Sequence, residues 1–85
     1  MLIMYYVYAL YNQSLKKVYI GQTNNVDRRL LEHNKDGNHY TTSLKGEWEL
    51  IYKEEVATRS EALKREKQLK SYRGREFIKN NYLHN

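Results

Sequence analysis

The sequence VYIGQTNNVDRRLLEHN, residues 18–34, begins with the composition of a β-strand and ends with that of an α-helix. Its first three residues are β-branched or aromatic, which is typical of a strand. Gly21 and the polar residues after it predict that the strand stops and the chain turns. Asn24 or Asn25 is placed to cap the N-terminus of a helix. We therefore expect a strand followed directly by a helix from about Asn25 to Asn34.

This helix places two polar side chains on or beside the face that should turn towards a sheet. With about 100° per residue, Val26, Leu30 and His33 fall on one face, and Arg29 lies at its edge. Polar groups that face the interior are unfavourable unless they are paired or used. Together with Tyr19 just upstream, Arg29 and His33 are therefore candidates for a functional site.

Two further strands are predicted on either side of this stretch. The run Ile3–Tyr11 is continuously apolar and aromatic, which is typical of a central strand buried on both faces. It should form an antiparallel hairpin with the strand that begins near Lys17, so that Tyr8 projects on the same face as Tyr19. The segment Trp48–Val56 alternates apolar and polar residues, with Ile51 as the exception, and predicts a third strand whose first residue anchors the core.

Two helices are predicted in the C-terminal third. Thr58 or Ser60 caps a helix that runs to about Ser71. After a break at Tyr72–Gly74, a short helix is expected over Arg75–Tyr82.

The first of these helices carries a carboxylate within its apolar stripe. On a helical wheel Glu66 falls between Leu63 and Leu69. A carboxylate in such a position must be paired, protonated or bound to a cation. An ion pair with Arg29 or Lys70 is one interpretation, and a metal site is the other.

The composition restricts the class of protein. A chain of 85 residues makes one domain with a modest core, so we expect a single domain over residues 1–85. The chain has no cysteine, which excludes a disulfide framework or a thiolate metal site and agrees with a reducing cytoplasm. It has no apolar run near the roughly 20 residues of a membrane span and no basic signal-peptide region, so we expect a cytoplasmic protein without membrane association.

The net charge of +5 is concentrated near the C-terminus, where eight Lys or Arg and three Glu follow residue 56. Such a basic segment suits a polyanion such as DNA or RNA, and an ordinary solvated helix face is the alternative. The polar stretch 35–46 is expected to be a loop that touches the phosphate backbone or serves only as a surface connection. The candidate nucleic-acid-binding residues are Lys45, Lys67, Lys70 and Arg73.

Two short motifs give a more specific indication. The segments Tyr6–Leu10 and Tyr19–Gly21, about a hairpin apart, resemble the paired signature of the GIY-YIG nuclease superfamily in its short stand-alone form. The second motif is followed by Asn-Val-x-x-Arg-Leu-x-x-His over residues 25–33, while Tyr6 stands where the family name has glycine. The resemblance runs from about Met4 to about Tyr72. Similar domains occur in the bacterial nucleotide-excision-repair nuclease, in homing endonucleases and in junction-cutting endonucleases.

The resemblance implies a small α/β (α+β) domain with a three-stranded, mainly antiparallel sheet flanked by helices. It also implies a divalent-metal-dependent endonuclease, expected to act on DNA by structure rather than by sequence. Glu66 matches the metal ligand of the superfamily and would hold Mg²⁺ or Mn²⁺ with few protein ligands.

The same resemblance suggests roles for the other candidate residues. Arg29 would neutralise the scissile phosphate. Tyr8 and Tyr19 would lie beside the attacking water, with Tyr8 as general base once the metal and Arg29 lower its pKa. His33 would orient the water or phosphate, or shuttle a proton. In the structural alternatives the tyrosines and His33 belong to the core.

Two alternatives stay open for the function. One is a nucleic-acid-binding module with the same fold and little turnover, which would not need Glu66. The other is a protein-interaction domain whose larger partner recognises the substrate. A specific DNA interface buries about 1,000–2,500 Å² of protein surface, so a partner or a dimer would supply any sequence specificity.

Overall fold

A three-stranded antiparallel sheet lies at the centre of the fold. In the computed structural model, which describes residues 3–34 and 48–83, β1 spans Tyr5–Asn12, β2 spans Lys17–Thr23 and β3 spans Trp48–Val56. The strand order is β2-β1-β3, and both pairings are antiparallel. The prediction of a central first strand is therefore confirmed. The candidate residue Lys45 and the predicted loop around it lie outside the described residues.

Three helices accompany the sheet in the described part of the chain. They are α1 over Val26–Asn34, α2 over Arg59–Lys70 and α3 over Tyr72–Tyr82. None of these helices is long and apolar enough to cross a membrane.

Side-chain oxygens cap the first two helices at their N-termini. The Oδ1 atom of Asn25 accepts a hydrogen bond from the backbone N–H of Arg28 at 3.0 Å. The Oγ1 atom of Thr58 accepts one from the N–H of Glu61 at 3.1 Å. Of the alternatives that the sequence left open, Asn25 and Thr58 are therefore the caps.

One face of the sheet is covered by α2 and α3. Val7 and Ala9 of β1 are fully buried in a cluster with Ala62 and Leu69 of α2 and Ile78 of α3. Burial of one such aliphatic side chain larger than alanine stabilises the fold by about 1.5–3 kcal/mol.

The opposite face is covered by α1. Tyr8 and Leu10 of β1 are buried there with Trp48 of β3, and Tyr19 and Leu30 pack against them. Both faces of β1 are therefore covered, as its apolar sequence predicted.

Strand β3 does not keep a single alternation. Ala9 lies opposite Tyr52, whereas Leu10 lies opposite Leu50, so Ile51 is an extra residue in β3. A bulge of this kind moves the side chains beyond it to the other face. Leu50 accordingly packs on the α1 face and Tyr52 on the α2–α3 face. The exception to the alternation that was noted at Ile51 marks the bulge.

The buried face of α2 differs from the predicted stripe. Ala62 and Leu69 are buried, but Leu63 is 48% exposed. Because neighbouring residues on a helix point about 100° apart, burial of Ala62 turns Leu63 into solvent. The prediction that Leu63 lies within the buried stripe is wrong. Glu66 stays at the edge of the buried face and is partly covered.

Helix α3 begins at Tyr72, three residues earlier than predicted. Ser71 ends α2 and also caps α3, because its Oγ atom donates to the carbonyl of Gln68 at 2.6 Å and accepts from the N–H of Gly74 at 3.2 Å. A Cβ atom at Gly74 would overlap the backbone of Gln68 and Leu69. The glycine therefore marks a close approach of two helices and not a break in the chain.

Candidate active site

Tyr8 and Tyr19 project from neighbouring strands on the α1 side of the sheet. In the β1–β2 pairing Tyr8 lies opposite Gly21, and Leu10 lies opposite Tyr19. The centroids of the two phenol rings are 6.3 Å apart. The expectation that these tyrosines share a face is confirmed.

Gly21 leaves the space into which the Tyr8 side chain extends. A Cβ atom at this position would lie 2.7 Å from the Tyr8 Oη atom, 2.9 Å from its Cζ atom and 3.1 Å from the Cε1 atom of Tyr19. Strand β2 continues past the glycine to Thr23. The prediction that Gly21 ends the strand is therefore wrong. The glycine is required instead by the close approach of the two tyrosine side chains.

Helix α1 places His33 against both tyrosines. The imidazole centroid lies 4.4 Å from the Tyr19 ring centroid in an edge-on arrangement. The His33 Nε2 atom lies 3.5 Å from the Tyr8 Oη atom, at the long end of hydrogen-bond distances. His33 is buried, so its interior position agrees with the helical wheel.

Arg29 lies one turn earlier on α1 and faces the same site. Its side chain is 31% exposed, whereas that of Arg28 is 58% exposed, which confirms the predicted orientation of the helix. The Arg29 Nη1 atom donates to the Glu32 Oε1 atom at 2.9 Å. Glu32, and not Glu66, is therefore the carboxylate that pairs with Arg29.

Burial raises the pKa of the Tyr8 hydroxyl above its ordinary value of 10.0, and the neighbouring charges of Tyr19 and Glu66 act in the same direction. A hydrogen bond from Arg29 and its positive charge oppose this shift without reversing it. Tyr8 is therefore a neutral phenol at neutral pH. The resemblance seen in the sequence implies a lowered Tyr8 pKa in the metal-bound protein. In the protein without metal, the Tyr8 pKa is raised.

The pKa of His33 is lowered from 6.5 to about 4. Burial is the main cause, and the positive charge of Arg29 adds to it, while Glu32 acts in the opposite direction. The imidazole is therefore neutral at neutral pH, and the same lowering of its pKa makes it a weaker proton acceptor than an exposed histidine.

Glu66 forms an ion pair with Lys70, which lies one turn later on the same helix, α2. Its Oε2 atom lies 2.8 Å from the Lys70 Nζ atom, with the two side chains 19% and 49% exposed. Of the two ion pairs considered from the sequence, the one with Lys70 is present. Glu66 is also close enough to Tyr8 to influence its pKa.

The donor set fits a weakly coordinated hard cation. Among the described residues no group of three or more His, Asp or Glu side chains is placed to hold a metal ion. Mg²⁺ does not require such a group, since it is often held by one or two carboxylates with several waters. Glu66 supplies one carboxylate, and the half-exposed Lys70 can turn into solvent and release it.

One basic residue at the site was not singled out in the sequence. Arg59, the first residue of α2, lines a cleft of about 400 Å³ together with Arg29 and Tyr5. The two arginines are far apart in the chain and meet through the packing of the sheet. The basic character of the C-terminal third was the only signal for Arg59.

The candidate nucleic-acid-binding residues are placed differently from one another. Lys70 lines a cleft of about 300 Å³ with Tyr19 and Trp48. Lys67 and Arg73 are exposed, and neither lines this cleft or the one that contains Arg29.

Comparison with known proteins assigns this chain to a family of nucleases. The sequence model of the GIY-YIG catalytic domain matches residues 4–81, and the chain belongs to the GIY-YIG family. This membership indicates a nuclease-type function with nucleic acid as the substrate. The family resemblance stated from the motifs is confirmed, and the match extends beyond Tyr72.

The chain is also similar to small bacterial proteins of one group. It is 36% identical over 62 residues to a UPF0213 protein of Staphylococcus epidermidis and 31% identical over 62 residues to one of Staphylococcus saprophyticus. Each match covers 73% of this chain and 76% of the relative. The solution NMR structure of a UPF0213 protein from Bacillus halodurans is similar with a TM-score of 0.55 at 27% identity, over 93% of this chain and 86% of that one.

Proposed function

We propose that this protein is a divalent-metal-dependent endonuclease that acts on DNA and selects its substrate by structure rather than by sequence. The observation that carries the proposal is the convergence of Tyr8, Tyr19, Arg29 and His33, from three elements, around the space left by Gly21. We further propose that the domain comprises residues 1–85, acts in the cytoplasm, and obtains sequence specificity, where it has any, from a protein partner or a dimer.

The first requirement of phosphodiester hydrolysis is a deprotonated water. Tyr8 is unsuited to act as a free phenolate, because burial raises its pKa. A relay avoids this state: the water gives a proton to the Tyr8 oxygen while the Tyr8 proton moves to Nε2 of His33. The 3.5 Å between these atoms supports the relay, and the low pKa of His33 means that the imidazole would hold the proton only briefly.

The second requirement is positive charge at the phosphorus centre. Arg29 donates to Glu32 through one terminal nitrogen and also hydrogen-bonds Tyr8, which leaves its remaining donors for a phosphate oxygen. Arg59, in the cleft beside Arg29, adds a second positive charge. Tyr19 packs edge-on against His33 and keeps the imidazole in position.

Glu66 would hold the metal ion, Mg²⁺ or Mn²⁺, after Lys70 turns away. When bound, the ion would neutralise charge on the phosphate and on the leaving oxygen. The proposed metal site therefore requires the Glu66–Lys70 ion pair to open. That same ion pair favours the second candidate function, a nucleic-acid-binding module with little turnover in which Glu66 is only a structural partner.

A cleavage assay over a panel of substrates tests the proposal. Branched, single-stranded and duplex DNA, with matched RNA, are incubated with the protein in Mg²⁺, Mn²⁺ or EDTA. We expect cleavage of branched DNA with either ion and none in EDTA. Binding without cleavage under all conditions would support the binding module.

The adjacent arginines of α1 provide a matched pair for this assay. Arg29→Ala should lower the cleavage rate by about 100-fold or more, because removal of one donor to a developing charge typically has an effect of this size. Arg28→Ala should change it only slightly, since this side chain points into solvent. An equal loss in both variants would contradict the role of Arg29.

Glu66→Gln separates the two candidate functions. The substitution should abolish cleavage and preserve DNA binding. It should change the free energy of unfolding by no more than about 1 kcal/mol, since the ion pair with a half-exposed lysine contributes little. Retained cleavage, or a much larger loss of stability, would contradict the metal-binding role of Glu66.

A further inference from the structure

A cleft outside the candidate active site is lined by positive charges. It has a volume of about 620 Å³ and lies between the end of the β1–β2 hairpin and α3. Over the described ranges 3–34 and 48–83, its lining contains four cationic side chains and no carboxylate. The cations are Lys16, Lys17, Arg75 and Lys79.

These four cations have no acidic partners among the described residues. Arg28, Arg65 and Lys70 each lie within 4 Å of a carboxylate, whereas none of the four does so. Arg75 is held in place by its Nε atom, which donates to the carbonyl of Lys70 at 3.2 Å. Its terminal nitrogens have no such partner in the described chain. The cleft therefore concentrates positive charge that none of the described carboxylates neutralises there.

The cleft adjoins a second cleft that reaches Tyr19 of the candidate active site. It shares Lys17, Val18 and Arg75 with the smaller cleft of about 300 Å³ that contains Tyr19 and Lys70. The two clefts thus form one groove along β2 and α3. We call this continuous surface the basic groove.

The backbone conformation of Lys16 is a second observation that favours a role for its positive charge. Its φ angle is 54°, in the left-handed region. In this region a residue with a side chain is less stable than glycine. The hairpin therefore carries a cation at a position where glycine would be more stable.

We propose that the basic groove binds the sugar-phosphate backbone of the nucleic acid on one side of the scissile bond. The inference rests on the proposed function, because the groove starts at Tyr19. Arg75 and Lys79 are one helical turn apart, with about 6 Å of rise between them. Phosphates on one strand of a duplex repeat every 3.4 Å or so along the helix axis, so these two cations span about two phosphates. The ligand of the groove should be a polyanion that also reaches the active site. A nucleic-acid substrate meets both conditions, which favours it over an acidic protein.

The groove is tested by two variants that lose the same charge. Lys16→Gly/Lys79→Gln removes two cations from the groove, and Lys53→Gln/Lys64→Gln removes two exposed cations elsewhere. Binding of fluorescein-labelled single-stranded and duplex DNA is measured in EDTA between about 50 and 200 mM salt. Thermal melting is recorded in parallel, and Lys16→Gly alone should leave Tm unchanged or raised.

The groove variant should bind DNA at least about tenfold more weakly at the lowest salt. The slope of log K against log salt should become shallower by about 1.4–1.8, since each lost phosphate contact removes about 0.7–0.9. The control should keep most of its affinity and slope. Equal losses in both variants would overturn the groove and leave the nuclease proposal intact.

Two further measurements separate this inference from the proposed function and from a protein partner. Cleavage of the same DNA in Mg²⁺ by the wild type tests the proposed function, whatever the binding slopes show. Poly-glutamate serves as an acidic-peptide probe. The inference is wrong if the wild type binds poly-glutamate more tightly than DNA and loses this binding in the groove variant. In that case the ligand of the groove is an acidic protein.

Discussion

His33 links the candidate site to pH through its burial. The unfolded chain binds a proton at this imidazole below about pH 6.5, whereas the folded protein binds it only near pH 4. Stability should therefore be constant above pH 6.5 and fall as the pH drops towards 4. The loss from this residue is about 2 kcal/mol between pH 7 and pH 5.

Chemical denaturation of the wild type and His33→Gln across this range measures the effect. The variant has no imidazole at this position, so the difference in stability between the two proteins should shrink as the pH falls. A constant difference from pH 7 to pH 5 would mean that His33 keeps an ordinary pKa in the fold.

Gly21 controls the position of the Tyr8 hydroxyl. Gly21→Ala introduces a methyl group 2.7 Å from the Oη atom of Tyr8, which is closer than van der Waals contact allows. We expect a loss of about 1–3 kcal/mol in the free energy of unfolding, as is typical of overpacking, together with loss of cleavage. Gln22→Ala, at the next position of β2, is the control. Unchanged cleavage by Gly21→Ala would show that the tyrosine moves aside without consequence.

At the residue scale, the sequence predicted the orientation of a side chain correctly where the geometry of a single helix or strand determines it. The inner position of His33 and the different orientations of Arg28 and Arg29 follow from the period of one helix. Arg59 was missed because it joins Arg29 only in the folded chain. The raised pKa of Tyr8 was missed for the same reason, since its main cause is burial beneath α1.

Elements were predicted well in their number and type and less well at their ends. The bulge at Ile51 depends on how β3 pairs with β1, so periodicity within β3 alone indicates an exception without explaining it. The start of α3 was placed too late because Gly74 was taken as a break. Ser71 instead serves two helices at once, an arrangement with no distinct sequence pattern.

The corner between α2 and α3 gives a prediction at the element scale. Gly74→Ala places a methyl group against the backbone of Gln68 and Leu69, which no side-chain rotation relieves. The variant should lose more than about 2 kcal/mol of stability, beyond the small gain that alanine gives in a helix. Thermal melting measures this loss, with Asn80→Ala on the exposed side of α3 as the control. A raised Tm for Gly74→Ala would show that the two helices separate easily.

At the scale of the whole molecule, the sheet separates two regions of different character. The α2–α3 side is an aliphatic core of Val7, Ala9, Leu69 and Ile78. The α1 side combines aromatic rings with the polar groups of the candidate site. Because β1 contributes side chains to both, each region depends on the other for its support.

The central place of β1 also determines how fast its backbone exchanges hydrogen with solvent. In an antiparallel ladder, alternate residues bond to the strands on either side, so the N–H groups of β1 point by turns to β2 and to β3. Within the described part of the chain, each outer strand pairs with β1 alone and leaves alternate N–H groups outside the ladder.

In D₂O, amides along β1 should therefore exchange slowly without interruption, through opening of the whole fold, while protection alternates along β2 and β3. Hydrogen-exchange NMR measures this pattern. Fast exchange at alternate β1 residues would indicate that one outer strand detaches on its own. With uniform protection, the backbone that carries Tyr8 is the last part of the molecule to open, so the tyrosine proposed to take the proton of the attacking water lies on the strand that opens last.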